Sequence, residues 1–186
     1  DRFFVAHNPA SPQDDTSEFW DRTSRGIRLN YPNAPWSAHA SYREFGDAFD
    51  PAIGFTPRNA FRRFQPQVEY APQLTKSDLI QQIGWEFRFE HLMDLDFDLL
   101  TQEVRFTLFE ILFMSGDEIS FDISRNYERL EFPFDIRRDN TIIIPVDEYV
   151  TWTASGEFRT ASYRKISVGG EFETGGFWSG HRTQYG

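Results

Sequence analysis

The chain has no cysteine among its 186 residues, so it has neither a disulfide framework nor a thiolate metal site. Lysine is almost absent too, with only Lys76 and Lys165, and arginine carries nearly all of the positive charge. The net charge of −10 argues against a general nucleic-acid binder, which needs a basic surface. No apolar run approaches the roughly 20 residues of a membrane-spanning helix. A membrane role would therefore have to be carried by strands.

Aromatic residues are abundant although the chain is not hydrophobic overall. They make up 17% of the residues, while all hydrophobic types together reach 39%. Alternating strands produce this composition because every second position is polar. The clearest alternation runs from Gln82 to Glu90. It places Ile83, Trp85, Phe87 and Phe89 on one side and Gln82, Gly84, Glu86, Arg88 and Glu90 on the other. This period of two predicts a β-strand with one aromatic face and one charged face.

A hairpin is predicted around Ser115-Gly116, a tight-turn signal between two apolar runs. A two-residue loop there would set Leu112 opposite Ile119 and Leu108 opposite Ile123. In that register the apolar face carries Val104, Phe106, Leu108, Leu112, Ile119, Phe121 and Ile123. Glu110 is the one charge on the wrong side. A helix over Glu103 to Met114 is the alternative interpretation of the first run.

The rest of the chain predicts short strands separated by turns. Residues 125–149, with Pro133 and Pro145, are too long for a tight turn and indicate a functional loop between strands. Later strands are predicted at Val150–Ala154 and Tyr163–Phe172, separated by a turn at Ser155-Gly156-Glu157. We count about eight strands in up-and-down order. The fold class is therefore all-β and antiparallel, and residues 1–186 are interpreted as one unit.

Few patterns in the sequence carry catalytic or metal chemistry. The four histidines are far apart, without zinc-site spacing, and no nucleophile elbow or phosphate loop is present. The run Asp94 to Asp98 resembles a calcium loop, but Leu99 occupies the glycine position and Arg105 the closing glutamate position. A solvated turn is the better interpretation. No catalytic residue, metal site or cofactor is predicted.

A glycosidase needs only two facing carboxylates, and sequence alone cannot choose a pair among Glu86, Glu90 and Glu110. Four tryptophans could stack on sugars, or could lie in a core or in the interfacial aromatic belt of a membrane barrel. They are Trp36, Trp85, Trp152 and Trp178. We favour the structural interpretation.

Four stretches, in order, resemble one family. Phe49 to Arg58 is similar to its F-D/N-P-x-x-G-F-x-x-R signature, through Asp50, Pro51, Gly54, Phe55 and Arg58. Arg125 to Ile136 is similar to its R-x-F/Y-E-x-L-x-x-P-F-x-I segment, through Arg125, Glu128, Pro133 and Phe134. Residues 144–149 and 175–180 resemble two later landmarks. The family is a bacterial domain of unknown function, expected to form an outer-membrane β-barrel and usually found after a module resembling family 9 carbohydrate-binding modules.

The resemblance implies a transmembrane β-barrel in the outer membrane of a Gram-negative bacterium. It implies that the barrel is larger than this chain, with strands before Asp1 and after Gly186. The expected partners are outer-membrane lipid and carbohydrate, the latter through a module that this stretch does not contain. The family provides no catalytic residues to carry over. Its motif includes Pro-Gly where this chain has Val146-Asp147, so the turn there is less well defined.

These patterns together predict a segment of a Gram-negative outer-membrane β-barrel. Ile83, Trp85, Phe87 and Phe89 would face lipid, and Glu86, Arg88 and Glu90 would face a wet lumen. The function would be the handling of carbohydrate or another polar substrate at the cell surface. The alternative is a soluble β-barrel or sandwich that binds or hydrolyses glycans, in which the aromatic face would point inward.

Overall fold

The computed structural model describes residues 19–50, 59–136 and 141–186. A short 3-10 helix, Phe19–Arg22, precedes the first strand. The strands are β1 Ser24–Asn33, β2 Trp36–Phe45, β3 Phe61–Tyr70, β4 Ile80–Asp94, β5 Leu99–Phe113, β6 Glu118–Arg129, β7 Phe134–Asp135, β8 Ile143–Ile144, β9 Glu148–Arg159, β10 Gly169–Phe177 and β11 Gly180–Tyr185. The described part of the chain contains no helix long and apolar enough to cross a membrane.

Nine of these strands form a single sheet in the order β1-β2-β3-β4-β5-β6-β9-β10-β11. Every neighbouring pair is antiparallel, and the spatial order follows the chain, so the predicted all-β, up-and-down architecture is confirmed. The short strands β7 and β8 pair with each other inside the connection between β6 and β9. In the described residues β1 and β11 are the two outer edges, and the sheet is not closed.

The register gives the sheet two chemically distinct faces, because residues paired across strands point to the same side. The apolar face is defined by Tyr31, Ala38, Val68, Phe87, Phe106, Ile123 and Ala154, which form one row across the sheet, and by the residues in phase with them. The polar face is defined in the same way by Arg28, Ser41, Gln65, Glu90, Glu103, Asn126 and Thr151.

The sheet also has two ends, which we name after residues on the apolar face. The Arg25 end includes the connections from β2 to β3, from β4 to β5 and from β6 to β9. The Trp36 end includes the hairpin turn between β5 and β6. Only five hydrophobic residues are well buried among those described. Four of them (Phe61, Leu100, Leu130 and Ile144) lie at or near the Arg25 end. The middle of the sheet has no hydrophobic core of its own.

The hairpin between β5 and β6 differs from the predicted two-residue loop. The amide of Phe113 donates to the carbonyl of Asp117 at 2.9 Å, and that of Gly116 donates to the carbonyl of Phe113 at 2.8 Å. Gly116 has a φ of 73°, so the loop is a turn followed by a left-handed residue, the three-residue hairpin geometry that favours glycine. The extra loop residue shifts the register by one.

That shift corrects the predicted faces. Ile111 pairs with Ile119 and Leu112 with Glu118, so Leu112 lies on the polar face. A β-bulge at Leu108 adds one more residue, because Thr107 pairs with Asp122 and Phe109 with Phe121. On β5, the even-numbered residues before the bulge and the odd-numbered residues after it therefore share the apolar face. The prediction for Leu108 and Leu112 was wrong, whereas Val104, Phe106, Ile119, Phe121 and Ile123 lie together as predicted.

The bulge also explains Glu110. Its partners across the sheet are Gly84 and Ser120, both on the polar face. The charge that contradicted the simple alternation is therefore on the same side as the other charges. The alternative helix over residues 103–114 is excluded, since β5 is a continuous strand from Leu99 to Phe113.

The predicted turn at Ser155-Gly156-Glu157 was wrong. These residues lie inside β9, and the turn to β10 comes later, at residues 160–168. A Cβ at Gly156 would lie 2.5 Å from the Phe172 ring, so this glycine makes room for an aromatic ring across the strand pair. The long connection is also shorter than the predicted residues 125–149. It comprises residues 130–147, because β6 extends to Arg129 and β9 begins at Glu148.

Candidate functional site

The polar face is a network of side chains that bind one another across the strands. Three of its hydroxyl residues are buried: Ser41 is 4% exposed, Thr107 7% and Ser124 8%. The Thr107 hydroxyl donates to the Asp122 carboxylate at 2.6 Å, and the Ser124 hydroxyl lies 2.6 Å from that of Thr153. These side chains satisfy each other within the sheet, as buried polar groups must.

The predicted polar set on β4 lies on this face. Glu86 accepts a hydrogen bond from Gln67 at 2.6 Å and pairs with Arg88 at 2.8 Å. Glu90 accepts a hydrogen bond from Gln65 of β3. Glu86 and Arg88 therefore neutralise each other on this face, and both glutamates also bind side chains of the neighbouring strand β3.

Ion pairs continue this pattern along the later strands. Glu103 binds Arg105 at 3.0 Å, Glu118 binds Arg159 at 2.8 Å, and Glu173 binds Arg182. Between them lies an open groove of about 250 Å³. Its polar lining includes Arg105, Ser120, Asp122, Ser155, Glu157, Glu171, Glu173 and Gln184. Glu157 and Glu171 are directly opposite each other across β9 and β10. Such a surface can bind polar solutes through hydrogen bonds.

The apolar face carries the other predicted set on β4. Phe87 pairs with Val68 and Phe106, and Phe89 pairs with Val104. Ile83 and Trp85 lie in phase with them, and Ile83 pairs with Ile111. Many large side chains of this face are exposed, with Phe106 at 42% and Trp152 at 60%. No second layer covers this face within the described residues.

Aromatic rings line the Trp36 end of the apolar face. The rings of Trp36 and Tyr70 lie 4.4 Å apart, and those of Tyr70 and Trp85 are stacked at 5.8 Å. The three residues occupy one row across β2, β3 and β4. An unbroken aromatic row at one height is the arrangement that membrane proteins place at the lipid–water boundary.

Charged residues line the Arg25 end of the same face. Glu44 pairs with Arg25 of β1 and with Arg62 of β3, the latter at 3.1 Å. The Tyr42 hydroxyl donates to Glu44 at 2.8 Å, and the Arg62 guanidinium lies 4.0 Å from the centre of the Phe97 ring. The apolar surface therefore ends here in a cluster of charges.

The residues that carry the family resemblance lie in several places. Pro51, Gly54, Phe55 and Arg58 fall outside the described residues, and Asp50 lies at the boundary of that gap. Arg125 belongs to β6, where it donates to Gln102 at 3.0 Å, and Glu128 lies three residues further along that strand. Pro133 immediately precedes β7, which begins at Phe134.

Three of the resembling stretches meet around one ring. Trp178 lies between β10 and β11, and its ring lies 6.1 Å from that of Phe134 and 5.1 Å from that of Tyr149. The Tyr149 hydroxyl in turn donates to the carbonyl of Pro145 at 3.0 Å. These contacts hold the connection between β6 and β9 against the turn between β10 and β11. The motif residues brought together here are therefore packing groups.

The turns account for the remaining acidic motifs. Asp94 accepts hydrogen bonds from the amides of Asp96 and Asp98 at 2.9 and 2.8 Å, which is the geometry of a turn stabilised by its own aspartate. The described residues include no group of three potential ligands that could hold a metal ion. The acidic run at 94–98 is thus a turn, as its sequence indicated.

At the Trp36 end, Asp117 joins the β5–β6 turn to the connection after β9. Its carboxylate accepts hydrogen bonds from Ser115 at 2.7 Å and from the amide of Ala161 at 2.9 Å, and it pairs with Arg164 at 2.5 Å. The Ser115 hydrogen bond, followed by the Ala161 amide and Arg164, lowers the pKa of Asp117 below its ordinary value.

Sequence reasoning missed the buried hydroxyls Ser41, Thr107 and Ser124. Serine and threonine carry no chemical signature of their own in sequence, and only their place on the polar side of alternating strands could have indicated them. Their partners lie on neighbouring strands, 15 and 29 residues away for Thr107 and Ser124, so the register had to be known first.

No family model, curated protein or solved structure matches the chain at a significant level.

Proposed function

We propose that this chain is a segment of an outer-membrane β-barrel protein of a Gram-negative bacterium. Its apolar face would contact lipid, and its polar face would line a water-filled lumen. The observation that carries the proposal is an inversion of ordinary burial. Phe106 and Trp152 of the apolar face are exposed, whereas Ser41, Thr107 and Ser124 of the polar face are buried. A water-soluble sheet buries its apolar face instead.

Curvature of the sheet around its polar face would give this inversion a physical cause. Side chains on the concave side of a curved sheet crowd one another, while those on the convex side spread apart. The cross-strand bonds of the polar face show such crowding, with Thr107 held to Asp122 and Ser124 to Thr153. This supports a sheet that curves around its polar face, as the wall of a membrane barrel does.

The dimensions of the apolar face suit a bilayer. On β2 it extends from Trp36 at one end to Glu44 at the other, about 26 Å along the strand at 3.3 Å per residue. The strands of the sheet before β10 are 10 to 15 residues long. Transmembrane strands need roughly 9 to 11 residues, whereas strands of soluble proteins average about 5 to 6. An aromatic row and a charged cluster then mark the two boundaries of the band.

We infer that the protein handles carbohydrate or another polar substrate at the cell surface. The resemblance to a domain that follows a carbohydrate-binding-like module supports carbohydrate, and the hydroxyl, amide and carboxylate groups of the polar face suit any polar solute. The rival is a soluble glycan-binding β-protein. It would require a second layer over the apolar face, and no such layer exists among the described residues.

Cysteine labelling in a bilayer tests the orientation, and the absence of native cysteine makes each introduced thiol unique. Phe87→Cys and Arg88→Cys are adjacent in β4 but lie on opposite faces. In lipid vesicles we expect a charged, membrane-impermeant thiol reagent, trapped on both sides of the bilayer, to modify Arg88→Cys at least about 10-fold faster than Phe87→Cys, since lipid protects the apolar face.

Met114→Cys, in the exposed β5–β6 turn, serves as the control that should react fully in every case. Faster modification of Phe87→Cys than of Arg88→Cys would contradict the proposal. Equal rates at the two positions would contradict it as well, since neither face would then be protected by lipid.

A further inference from the structure

The arginines of the polar face fall into two groups. Those on the later strands each bind a carboxylate: Arg88, Arg105, Arg159 and Arg182 pair with Glu86, Glu103, Glu118 and Glu173. Three others lie on the first three strands: Arg28, Arg43 and Arg63. Within the described part of the chain, none of these three forms an ion pair with a carboxylate.

These three arginines are neighbours in the sheet. Arg43 of β2 is directly opposite Arg63 of β3, and Arg28 of β1 is opposite Ser41, two residues from Arg43. Directly opposed residues have Cβ atoms about 4.5 to 5.5 Å apart, and like charges at that distance destabilise a sheet. The register therefore brings three positive charges together at an energetic cost.

The surroundings do not neutralise this charge. Leu92 of β4 is opposite Arg63, and the carboxylates of Glu90 and Asp94 lie two residues from it on either side. Glu90 already accepts a hydrogen bond from Gln65, and Asp94 accepts hydrogen bonds from two amides of its own turn. The Nε of Arg63 is buried and makes no hydrogen bond to the residues that the structure describes. A buried guanidinium nitrogen without an acceptor is unfavourable, so an acceptor is missing here.

An open cavity of about 360 Å³ lies beside two of the three arginines. Arg28 and Arg43 line it, together with Ser24, Arg25, Gly26, Ile27, Tyr42 and Phe45, whereas Arg63 adjoins it through its pairing with Arg43. Gly26 is opposite Arg43, and a Cβ there would lie 3.1 Å from the Arg43 Cγ and 2.5 Å from the Tyr42 carbonyl oxygen. The absence of a side chain at this position leaves the space beside Arg43 free.

We propose that Arg28, Arg43 and Arg63 form a binding site for an oxyanion of the phosphate or sulfate class, carried by a solute that reaches the polar face. Guanidinium groups bind such oxyanions through paired, charge-assisted hydrogen bonds. A dianion compensates three clustered cations better than a single carboxylate does. The site does not depend on what covers the apolar face, so it can be tested separately from the membrane proposal.

The test is calorimetric titration of the full chain, in the detergent or buffer that keeps it folded, at low ionic strength. The titrants are inorganic phosphate, inorganic sulfate, glucose 6-phosphate, glucose and galacturonate. We expect phosphate, sulfate and glucose 6-phosphate to bind, galacturonate to bind about 10-fold more weakly, and glucose not to bind. Absence of phosphate and sulfate binding would overturn the proposal, and equal binding of galacturonate would overturn the assigned class.

Variants identify the residues. R43Q/R63Q should lower the affinity for phosphate by about 10-fold or more, because it removes two charge-assisted donors. R43K/R63K keeps the charge and should lose a smaller part of the affinity, which preserves the test if the glutamine variant does not fold. R159Q is the matched control, since Arg159 lies on the same face and is already paired with Glu118 at 2.8 Å. An equal loss in R159Q would contradict the site.

Discussion

Phe87 and Arg88 are adjacent in β4, yet one side chain lies among apolar residues and the other among charged residues. Phe87 lies in a row of apolar side chains that extends across the sheet, and it is 41% exposed. Arg88 binds Glu86, which also accepts a hydrogen bond from Gln67, so the polar side of the strand is linked to its neighbours. The same contrast between the two faces recurs from β2 to β9.

The comparison shows where the stability of this chain must arise. Hydrophobic burial is ordinarily the dominant favourable term in folding, but here many large apolar side chains of the sheet are exposed. Hydrogen bonds and ion pairs on the polar face hold the strands in register and contribute modestly. Under the proposed function, lipid removes the remaining apolar surface from water.

The largest difference between the two faces is expected when the same charge is placed on each. Phe106→Arg puts a guanidinium in the middle of the apolar face and should cost about 2 to 4 kcal/mol of folding free energy in a bilayer. Ser120→Arg, on the polar face opposite Glu110, should cost far less. Urea unfolding in lipid vesicles measures both. If the two variants lost equal stability, the faces would not differ in environment.

A smaller effect is expected from breaking one bond of the polar face. Thr107→Val keeps the shape of the buried side chain but removes the donor to Asp122, which should cost about 1 to 3 kcal/mol. Thr183→Val, on the exposed edge strand β11, is the control and should change the unfolding free energy by less than about 0.5 kcal/mol. Equilibrium unfolding under identical conditions compares them. A neutral Thr107→Val would show that the bond does not hold β5 to β6.

The aromatic row offers a test of the boundary of the apolar face. Tyr70→Leu retains an apolar side chain but loses the ring contacts to Trp36 and Trp85, so it should cost about 1 kcal/mol. Tyr31→Leu, on the same face of the edge strand, lacks such ring contacts among the described residues and should cost less. Tryptophan fluorescence during unfolding follows both variants. If both variants lost the same unfolding free energy, the ring contacts of the row would add no stability beyond that of the apolar area they bury.

The smallest effect concerns pH and is confined to one turn. Because the folded-state pKa of Asp117 is lowered, its contribution to stability is present above the ordinary value of 3.8 and is lost as pH falls through the lowered folded pKa. Asp117→Asn should abolish this local dependence while leaving the sheet intact. The carboxyl resonance of Asp117, followed by NMR between pH 5 and pH 2, reports it directly. A midpoint at or above 3.8 would contradict the assignment.

Local alternation predicted most strands because it is written in consecutive residues. The alternating run from Gln82 to Glu90 lies inside β4, which extends from Ile80 to Asp94. Turn length was harder to predict. The one-residue difference at Gly116 and the bulge at Leu108 reversed the assignment of Leu112 and Glu110, since a shift by one moves every side chain to the other face.

The candidate sites depend on strand pairing and could not be predicted in the same way. Arg28, Arg43 and Arg63 lie 15 and 20 residues apart in sequence and become neighbours only through the pairing of β1, β2 and β3. The contacts of Trp178 with Phe134 and Tyr149 likewise connect the ends of distant strands. No local pattern marks such pairs.

The sequence by itself determined that this chain forms strands with one aromatic face and one charged face, because side-chain direction alternates along every extended backbone. Only the tertiary structure decided the register, the place of Glu110 on the polar face and the grouping of the unpaired arginines. Those features depend on how many residues each turn and bulge contains. It also decided that Ser41, Thr107 and Ser124 are buried while Phe106 and Trp152 are exposed, since burial depends on how neighbouring strands are arranged.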